Sequence, residues 1–294
     1  MELKHVTNAM QKEAIIDQTA KSIKDVAMKV FGGGGEGKRT LRNALYGTWL
    51  GHPLHPLIVV VPAGAWMVTE MLDLVGAGSN DDGYDRAADV TAAVGMAGAV
   101  VAVASGANDW RFVHGKSSRL GLIHGLANTA GMGTMGLSLL MRVKGSRNAA
   151  RVLATVGITI TAAAAYVGGE LVYGQKVGVS HVSAEKLPTE FKAVKADSEL
   201  PEGKLTKATV EDVPIVLLRQ GQRIYALADS CSHMGGPLNE GELDDGCVVC
   251  PWHGSKFSMA SGRVVDGPAT FPQPSLEVRV RANQIEVRLS PESE

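Results

Sequence analysis

Residues 54–177 carry four long apolar runs, at 57–75, 88–107, 120–141 and 152–169. Each is close to the roughly 20 residues that cross a bilayer as a helix. Pro62, Glu70 and Asp73 interrupt the first run. The other three are cleaner: 152–169 has no charged residue, 88–107 only Asp89 near its edge, and 120–141 only His124 as an ionisable group. Runs without a polar stripe are not the amphipathic helices of a soluble bundle. Their Gly, Ala, Ser and Thr content suits close helix packing in lipid. Beyond Lys186 the period changes to two. Short stretches at 215–218 and 223–227, and the alternating sets Leu276, Val278, Val280 and Ile285, Val287, Leu289 around Ala282-Asn283, predict a small antiparallel β domain. Ahead of the runs, residues 8–31 read as an amphipathic helix with Ile15, Ile16, Ile23, Val26, Val30 and Phe31 among lysines and acids. Such a helix lies on the membrane surface or against the bundle. The expected fold class is α+β multidomain: an N-terminal helix and Gly-rich linker over 1–50, a four-helix transmembrane bundle over 51–180, a linker over 181–204, and a small all-β domain over 205–294.

Composition conceals this partition. The 294 residues are 45% hydrophobic with net charge −1, and the mean hydropathy of +0.05 would suit an ordinary two-domain soluble protein. The expected environment is the membrane, with no nucleic-acid partner. The stretch Gly32-Gly-Gly-Gly-Glu-Gly37-Lys38-Arg39 superficially matches a phosphate-binding loop, but Arg39 stands where a Ser or Thr would hold the metal, and the preceding segment is helical. It reads as a flexible linker. Lys38, Arg39, Arg42, Arg111, Lys116, Arg119 and Lys176 fall at one end of the four spans, against Arg86, Arg142, Lys144, Arg147 and Arg151 at the other. The small excess predicts a multi-pass cell-membrane protein with both termini and the β domain in the cytoplasm. An unpaired Cys247 and a first 50 residues without a secretory h-region point the same way.

The chemistry lies in Cys231-x-His233 and Cys250-Pro-Trp-His253-Gly-Ser. Each run supplies one thiol and one imidazole. That is the ligand set of a 2Fe-2S centre in which two thiolates hold one iron and two neutral imidazoles the other. Structural zinc also takes two Cys and two His, but usually in Cys-x2-4-Cys and His-x3-5-His pairs, which keep like with like. Gly235 and Gly236 allow a tight loop after the first pair, Pro251 stiffens the second, and Gly254 lets backbone approach. Gly267-Pro268-Ala269 would form a third, shielding loop.

These motifs, Cys231-Ser-His233-Met-Gly-Gly-Pro-Leu238 and Cys250-Pro-Trp-His-Gly-Ser-x-Phe257, followed by Gly262 and Gly267-Pro-Ala, resemble the Rieske ferredoxin domain. The resemblance implies a 2Fe-2S cluster on Cys231, His233, Cys250 and His253. Rieske subunits of cytochrome bc complexes carry a further disulfide between the ligand loops; Gly236 and Trp252 stand at those places here. Cys247 then has no partner and reads as an inert thiol. High-potential members also aim a serine and a tyrosine hydroxyl at the cluster sulfurs. Ser255 keeps the serine hydrogen bond, whereas Phe257 cannot supply the tyrosine one. The expected potential falls within the Rieske range of about −150 to +300 mV, below its top.

With antiparallel spans, His52, His55, His114, His124 and His181 all fall at the membrane face from which the β domain emerges, near Asp109, Asn128, Glu170 and Tyr173. His114 and His181 read as solvent or interface residues, and His52 as a cap of the turn before Pro53. A histidine within an apolar helix is costly without a partner, and His124 shares a helix face with Asn128. His55 and His124 are therefore candidates for haem b or non-haem iron, against a hydrogen-bonded structural cluster. His52-Pro-Leu-His-Pro56, Asn108-Asp109-Trp110, His124-x3-Asn128 and Gly168-Gly-Glu-Leu-Val-Tyr173 resemble a family of four-helix bacterial membrane domains without an established activity. The expected function is a membrane-anchored one-electron carrier, its partner a haem, a quinone beside Asp109, or a redox partner protein. Two alternatives stand beside it. One is a membrane oxygenase whose histidines, with Asp109 or Glu170, bind non-haem iron; the other is a redox sensor.

Overall fold

In a computed structural model, the structure describes residues 14–293. The chain divides into two compact units. One comprises the residues up to Lys38 together with Leu54–Val177, the other Arg39–Pro53 together with Gly178–Glu294.

The first unit is helical. It contains α1 (Ala14–Phe31), α3 (Leu54–Ala77, in two pieces, Leu54–Ile58 and Val60–Ala77), α4 (Asp82–Trp110), α5 (Gly115–Val143) and α6 (Arg147–Gly169), which runs into a wide turn at Glu170–Gly174. A further helix, α2 (Glu36–Tyr46), bridges the division between the units in sequence. The helices therefore outnumber the four read from the apolar runs. The break in α3 at Val59 follows from Pro62, which has no N–H to give the carbonyl four residues back. Asp81 caps α4 by accepting a hydrogen bond from the Gly83 N–H at 2.8 Å.

Helices α3 and α4 pack as one antiparallel pair and α5 and α6 as a second, with sparser contact between the pairs. Small residues let the helices approach. A Cβ on Gly95 would stand 2.3 Å from the Trp66 ring nitrogen, so Trp66 lies directly on the α4 backbone, donating to the Ala92 carbonyl at 3.3 Å. Three segments are long and apolar enough to cross a membrane: Leu54–Ala77, Asp82–Trp110 and Arg147–Gly174. Helix α5 matches α4 at 29 residues, but glycines, His124 and Asn128 dilute its apolar run.

Asp73, which interrupted the first run, has a partner. Its carboxylate pairs with Arg142 of α5, both side chains being at most 2% exposed. Arg142 also reaches Asp89 at 3.1 Å, and Arg147 and Arg151 extend the network to Asp85 and Asp89. Buried charges survive only in such pairs.

Helix α1 rests on the bundle through buried Ala20 and Ala27, an ion pair between Asp17 and Arg119, and Lys24, which donates to the Val113 carbonyl and lies 4.9 Å from the Trp110 ring centre. Ile15, Val26 and Val30 stay exposed, so the apolar stripe is not the face that docks. Residues 8–13 of the expected helix lie outside the described residues. The expected 32–39 linker is shorter than the sequence implied: helix resumes at Glu36, and Lys38 reaches back to the Gly32 carbonyl at 3.3 Å, satisfying an end group of α1.

The second unit holds two antiparallel sheets. The larger has the order β1-β10-β9-β4-β3-β2, with β1 Lys192–Ala196, β2 Thr206–Val210, β3 Val213–Gln220, β4 Arg223–Ala228, β9 Ser275–Arg281 and β10 Gln284–Leu289. The smaller runs β5 (Glu242–Asp244), β6 (Cys247–Val249), β7 (Lys256–Ser258) and β8 (Val264–Asp266). Strand β3 reads as an unbroken apolar run because both of its faces are covered. Ile215 and Leu217 enter one core with Ile285 and Val287; Val216 and Leu218 enter another with Val248, Phe257 and Met259. Ala282 and Asn283, both at positive φ, close the β9–β10 hairpin. Strand β1 lies in the segment expected to be a linker. Its Lys-Ala-Val-Lys-Ala sequence has too little alternation to announce a strand, and pairing with β10 decides it.

Candidate functional site

Cys231 and His233 sit in the loop after β4, and Cys250 and His253 in the turn between β6 and β7. The two loops share one hydrogen-bond frame. The Cys231 N–H donates to the Gly236 carbonyl and the Gly235 N–H to the Cys231 carbonyl, both at 2.8 Å. The Cys250 N–H donates to the Ser255 carbonyl at 2.8 Å and the Gly254 N–H to the Cys250 carbonyl at 3.0 Å. Gly235 and Gly254 take matching left-handed φ values of 78° and 77°, which side chains resist. Gly236 is required by proximity: a Cβ there would come 2.9 Å from the Cys250 sulfur.

The frame brings like donors together. The Cys231 and Cys250 thiols are close enough to shift each other's titration, and both residues are buried. The His233 and His253 ring centres are 5.1 Å apart at 87°. An imidazole nitrogen lies at about 2 Å from a bound transition metal. With its ring centre ~1.1 Å further on, two imidazoles on one tetrahedral ion place their centroids about 5.1 Å apart. The pair thus has the spacing of two ligands on one iron. Among the described residues no three His, Cys, Asp or Glu side chains gather round a single ion position. A thiol pair beside an imidazole pair is the donor set of a two-iron centre.

The electrostatics favour metal. The neighbouring Cys231 side chain, with further help from the Trp252 and His253 N–H groups, holds the Cys250 thiol down to about 6 against the effect of burial. The same contact, then burial, pushes the Cys231 thiol far up. Burial, followed by His253 and His181, drives His233 down to about 3, so it is a neutral imidazole at physiological pH. Ser255 is fully buried, and its Oγ accepts the Ala269 N–H at 3.0 Å, which leaves its own proton to donate elsewhere. Phe257 is fully buried.

Several supporting residues gave no sequence signal. Gln273, 1% exposed, accepts the Ser232 N–H at 3.0 Å and donates to the Ala228 and Ser230 carbonyls at 2.7 and 2.5 Å. It ties the first ligand loop to the third, and its place between Pro272 and Pro274 was the only hint. Asn43 accepts the Gly267 N–H at 3.0 Å and donates to Asp266 at 2.7 Å, with Arg39 3.2 Å from the same carboxylate. Tyr46, 2% exposed, covers Gly267. The His52 ring meets Phe271 edge-on at 5.3 Å, and the His181 N–H donates to the Ser232 carbonyl at 2.9 Å; both flank the site rather than face solvent alone. Cys247 is a free, half-buried thiol that donates to the Asp245 carbonyl at 3.6 Å.

In the helical unit, His55 and His124 come together with ring centres 6.4 Å apart at 82°. His55 Nδ1 meets the Ala102 carbonyl at 3.0 Å and Ser105 Oγ at 3.3 Å; His124 Nδ1 meets the Ala164 carbonyl at 2.9 Å.

Fold and site define an iron-sulfur protein of the Rieske class. Residues 190–277 match the Rieske 2Fe-2S domain, and residues 51–181 match a family described as predicted membrane protein, DUF2231. The chain is 33% identical over 93 residues to ferredoxin CarAc of Metapseudomonas resinovorans, covering 31% of this chain and 87% of that protein. It is 31% identical over 100 residues to the anthranilate 1,2-dioxygenase ferredoxin subunit of Burkholderia cepacia, covering 34% and 93%. The solved complex of reduced oxygenase and oxidized ferredoxin in carbazole 1,9a-dioxygenase aligns at 31% identity over 34% of this chain and 94% of that chain, with a TM-score of 0.32. The chain belongs to the Rieske ferredoxin family through its C-terminal part, which carries a 2Fe-2S cluster and transfers electrons. The relatives cover only that part; the helical part is matched by the membrane-protein family.

Proposed function

We propose that the protein is a membrane-anchored one-electron carrier in which Cys231 and Cys250 hold one iron and His233 and His253 the other. The observation that carries the reading is the sorting of donors into a thiol pair and an imidazole pair 5.1 Å apart on one repeated loop frame. When bound, the cluster supplies one-electron redox chemistry. The chain's own residues fix its surroundings: Ser255 orients a hydroxyl proton toward the sulfurs, Gln273 and Asn43 hold the loops, and the pocket keeps His233 neutral and ready to ligate. Relatives named as ferredoxin subunits of dioxygenases support an oxygenase or reductase as the exchange partner. Trp252, 56% exposed with its ring 6.3 Å from that of His253, marks the surface where such a partner would come nearest the imidazole ligands.

Anchoring has its own support. That Arg39–Pro53 and Gly178–Glu294 form one compact unit supports a reading in which both lie on one side of the membrane and the crossings between them are even in number. Three apolar segments are long enough to cross, and the reading takes α5 as the fourth span. The excess of basic residues at the His55 end favours the cytoplasm for the cluster.

The test is metal and sulfide analysis with electron paramagnetic resonance of the full chain purified in detergent. Two irons and two sulfides per chain, and a signal on reduction that disappears in His253→Ala, are expected. A single zinc per chain, or a signal unaffected by His253→Ala, would sink the reading.

A further inference from the structure

His55 and His124 form a second redox site: we infer that they are the two axial ligands of one haem, held between the α3–α4 and α5–α6 pairs.

The distance separates this pair from the other. Two imidazoles trans to each other on one octahedral metal put their ring centres about 6.3 Å apart, given a metal–nitrogen bond of about 2 Å. His55 and His124 are at 6.4 Å, whereas the tetrahedral pair His233 and His253 is at 5.1 Å. The two pairs differ in the direction expected for axial and tetrahedral ligation.

Each ring is set by the same device. His55 Nδ1 bonds the Ala102 carbonyl of α4, and the ring lies on Gly106, four residues along; a Cβ there would stand 2.8 Å from its Cε1. His124 Nδ1 bonds the Ala164 carbonyl of α6, and its ring lies on Gly168, again four residues along, where a Cβ would stand 2.9 Å from Cε1. A ring whose Nδ1–H donates to a carbonyl keeps its lone pair on Nε2, the tautomer that binds metal. The Nε2 of His55 has no hydrogen-bond partner among the described residues. The Asn128 amide nitrogen is nearly equidistant from both His124 ring nitrogens, at 3.4 and 3.3 Å, and donates to the His124 carbonyl at 2.9 Å. It therefore lies over the ring face rather than on one lone pair.

A structural cluster would join the two histidines directly or through a shared acceptor. Here each is anchored in its own helix pair, and the approach of the rings spans the sparser seam between pairs. Both rings are only half-buried, unlike Trp66 and Met135 in the packed middle of the bundle. The ligand count selects the cofactor. Non-haem iron wants two histidines and a carboxylate on one face, and among the described residues no third His, Cys, Asp or Glu joins these two. A porphyrin brings four equatorial nitrogens and needs only two axial ligands. With His55 and His124 as its ligands, a haem there would supply a one-electron couple suited to exchange with the one-electron chemistry of a 2Fe-2S cluster. This exchange rests on the electron-carrier reading above, while the haem site itself does not.

The full chain, produced with haemin supplied and purified in detergent, is examined by pyridine haemochromogen assay and electron paramagnetic resonance. One haem per chain is expected, with a strongly anisotropic low-spin ferric signal because the imidazole planes are nearly perpendicular. His55→Ala and His124→Ala lose that signal and keep the reduced Rieske signal, which reports an intact cluster unit, and an unchanged far-UV helix signal on heating to the parent's midpoint reports an intact helical unit. His55→Met retains six-coordinate haem at a raised potential. A haem-free protein with its Rieske signal intact overturns the haem site and leaves the carrier reading standing. Haem unchanged in both alanine variants overturns it as well.

Discussion

Asn43 and Gly267 are 224 positions apart, yet the Gly267 N–H donates to the Asn43 side chain at 3.0 Å while the same amide donates to Asp266 at 2.7 Å. One side chain thus satisfies the backbone and flanking carboxylate of the Gly267-Pro268-Ala269 loop. Asn43→Ala is expected to cost about 1–3 kcal/mol, the usual penalty for a stranded donor. Denaturant titration followed by the cluster's visible circular dichroism measures it. An unchanged midpoint would show that the contact contributes nothing.

Gln273→Leu keeps the volume and removes three hydrogen bonds, leaving the Ser232 N–H and two carbonyls without their partner. At about 1–3 kcal/mol for each stranded group, a loss of roughly 3 kcal/mol or more is expected. The expected readout is faster cluster loss on mild heating. A variant as stable as the parent would mean that water replaces the amide.

Ser255→Ala removes a hydroxyl whose oxygen is already occupied by the Ala269 N–H. If the proton points at a cluster sulfur, the reduced state loses stabilisation and the potential falls. A differential of about 1.4 kcal/mol corresponds to roughly 60 mV for one electron. Potentiometric titration measures the shift; a rise would contradict this role.

Burial, and then the carboxylates of Asp245, Asp244 and Asp266, hold the Cys247 thiol above the usual thiol range, with Lys256 opposing them. Since only the thiolate reacts, alkylation near pH 7–8 should be slower than for an ordinary thiol and still rising at pH 9. Mass spectrometry of iodoacetamide-treated holoprotein follows it. A rate already level by pH 8 would place the thiol lower.

The proposed even number of crossings gives a labelling pattern. In intact cells, Ser79→Cys and Ser146→Cys should react with an impermeant maleimide, whereas His114→Cys should react only after permeabilisation. Ser79→Cys and His114→Cys labelling from the same side would remove α4 as a span, and His114→Cys and Ser146→Cys doing so would remove α5.

The motif residues and the hairpin strands were legible because their signals are local: ligand spacing, glycines at turns, and period-two alternation. The role of Asp73 was not. A charge in an apolar run looks like a defect until Arg142, from another helix, is brought against it. Gln273 and Asn43 were silent for the same reason, since their partners are backbone groups that only the fold assembles. Strand β1 and the early restart of helix at Glu36 were decided by pairing and capping rather than by propensity. The proximity of His55 and His124 was legible as a shared membrane face, but the matching glycines Gly106 and Gly168 became meaningful only once each ring was seen lying on one.

The cluster-bearing unit is interrupted in sequence: Asn43 and Tyr46, on α2, precede α3–α6, and Gly267 follows them. A ribosome releases the clamp early and the loop it grips near the end. All of Leu54–Val177 has been synthesised by then, so assembly of the finished cage comes last in the life of the nascent chain. A chain stalled or cleaved between the two halves would hold a clamp with nothing to grip, and so could not fix the Gly267 loop before Leu54–Val177 had been made.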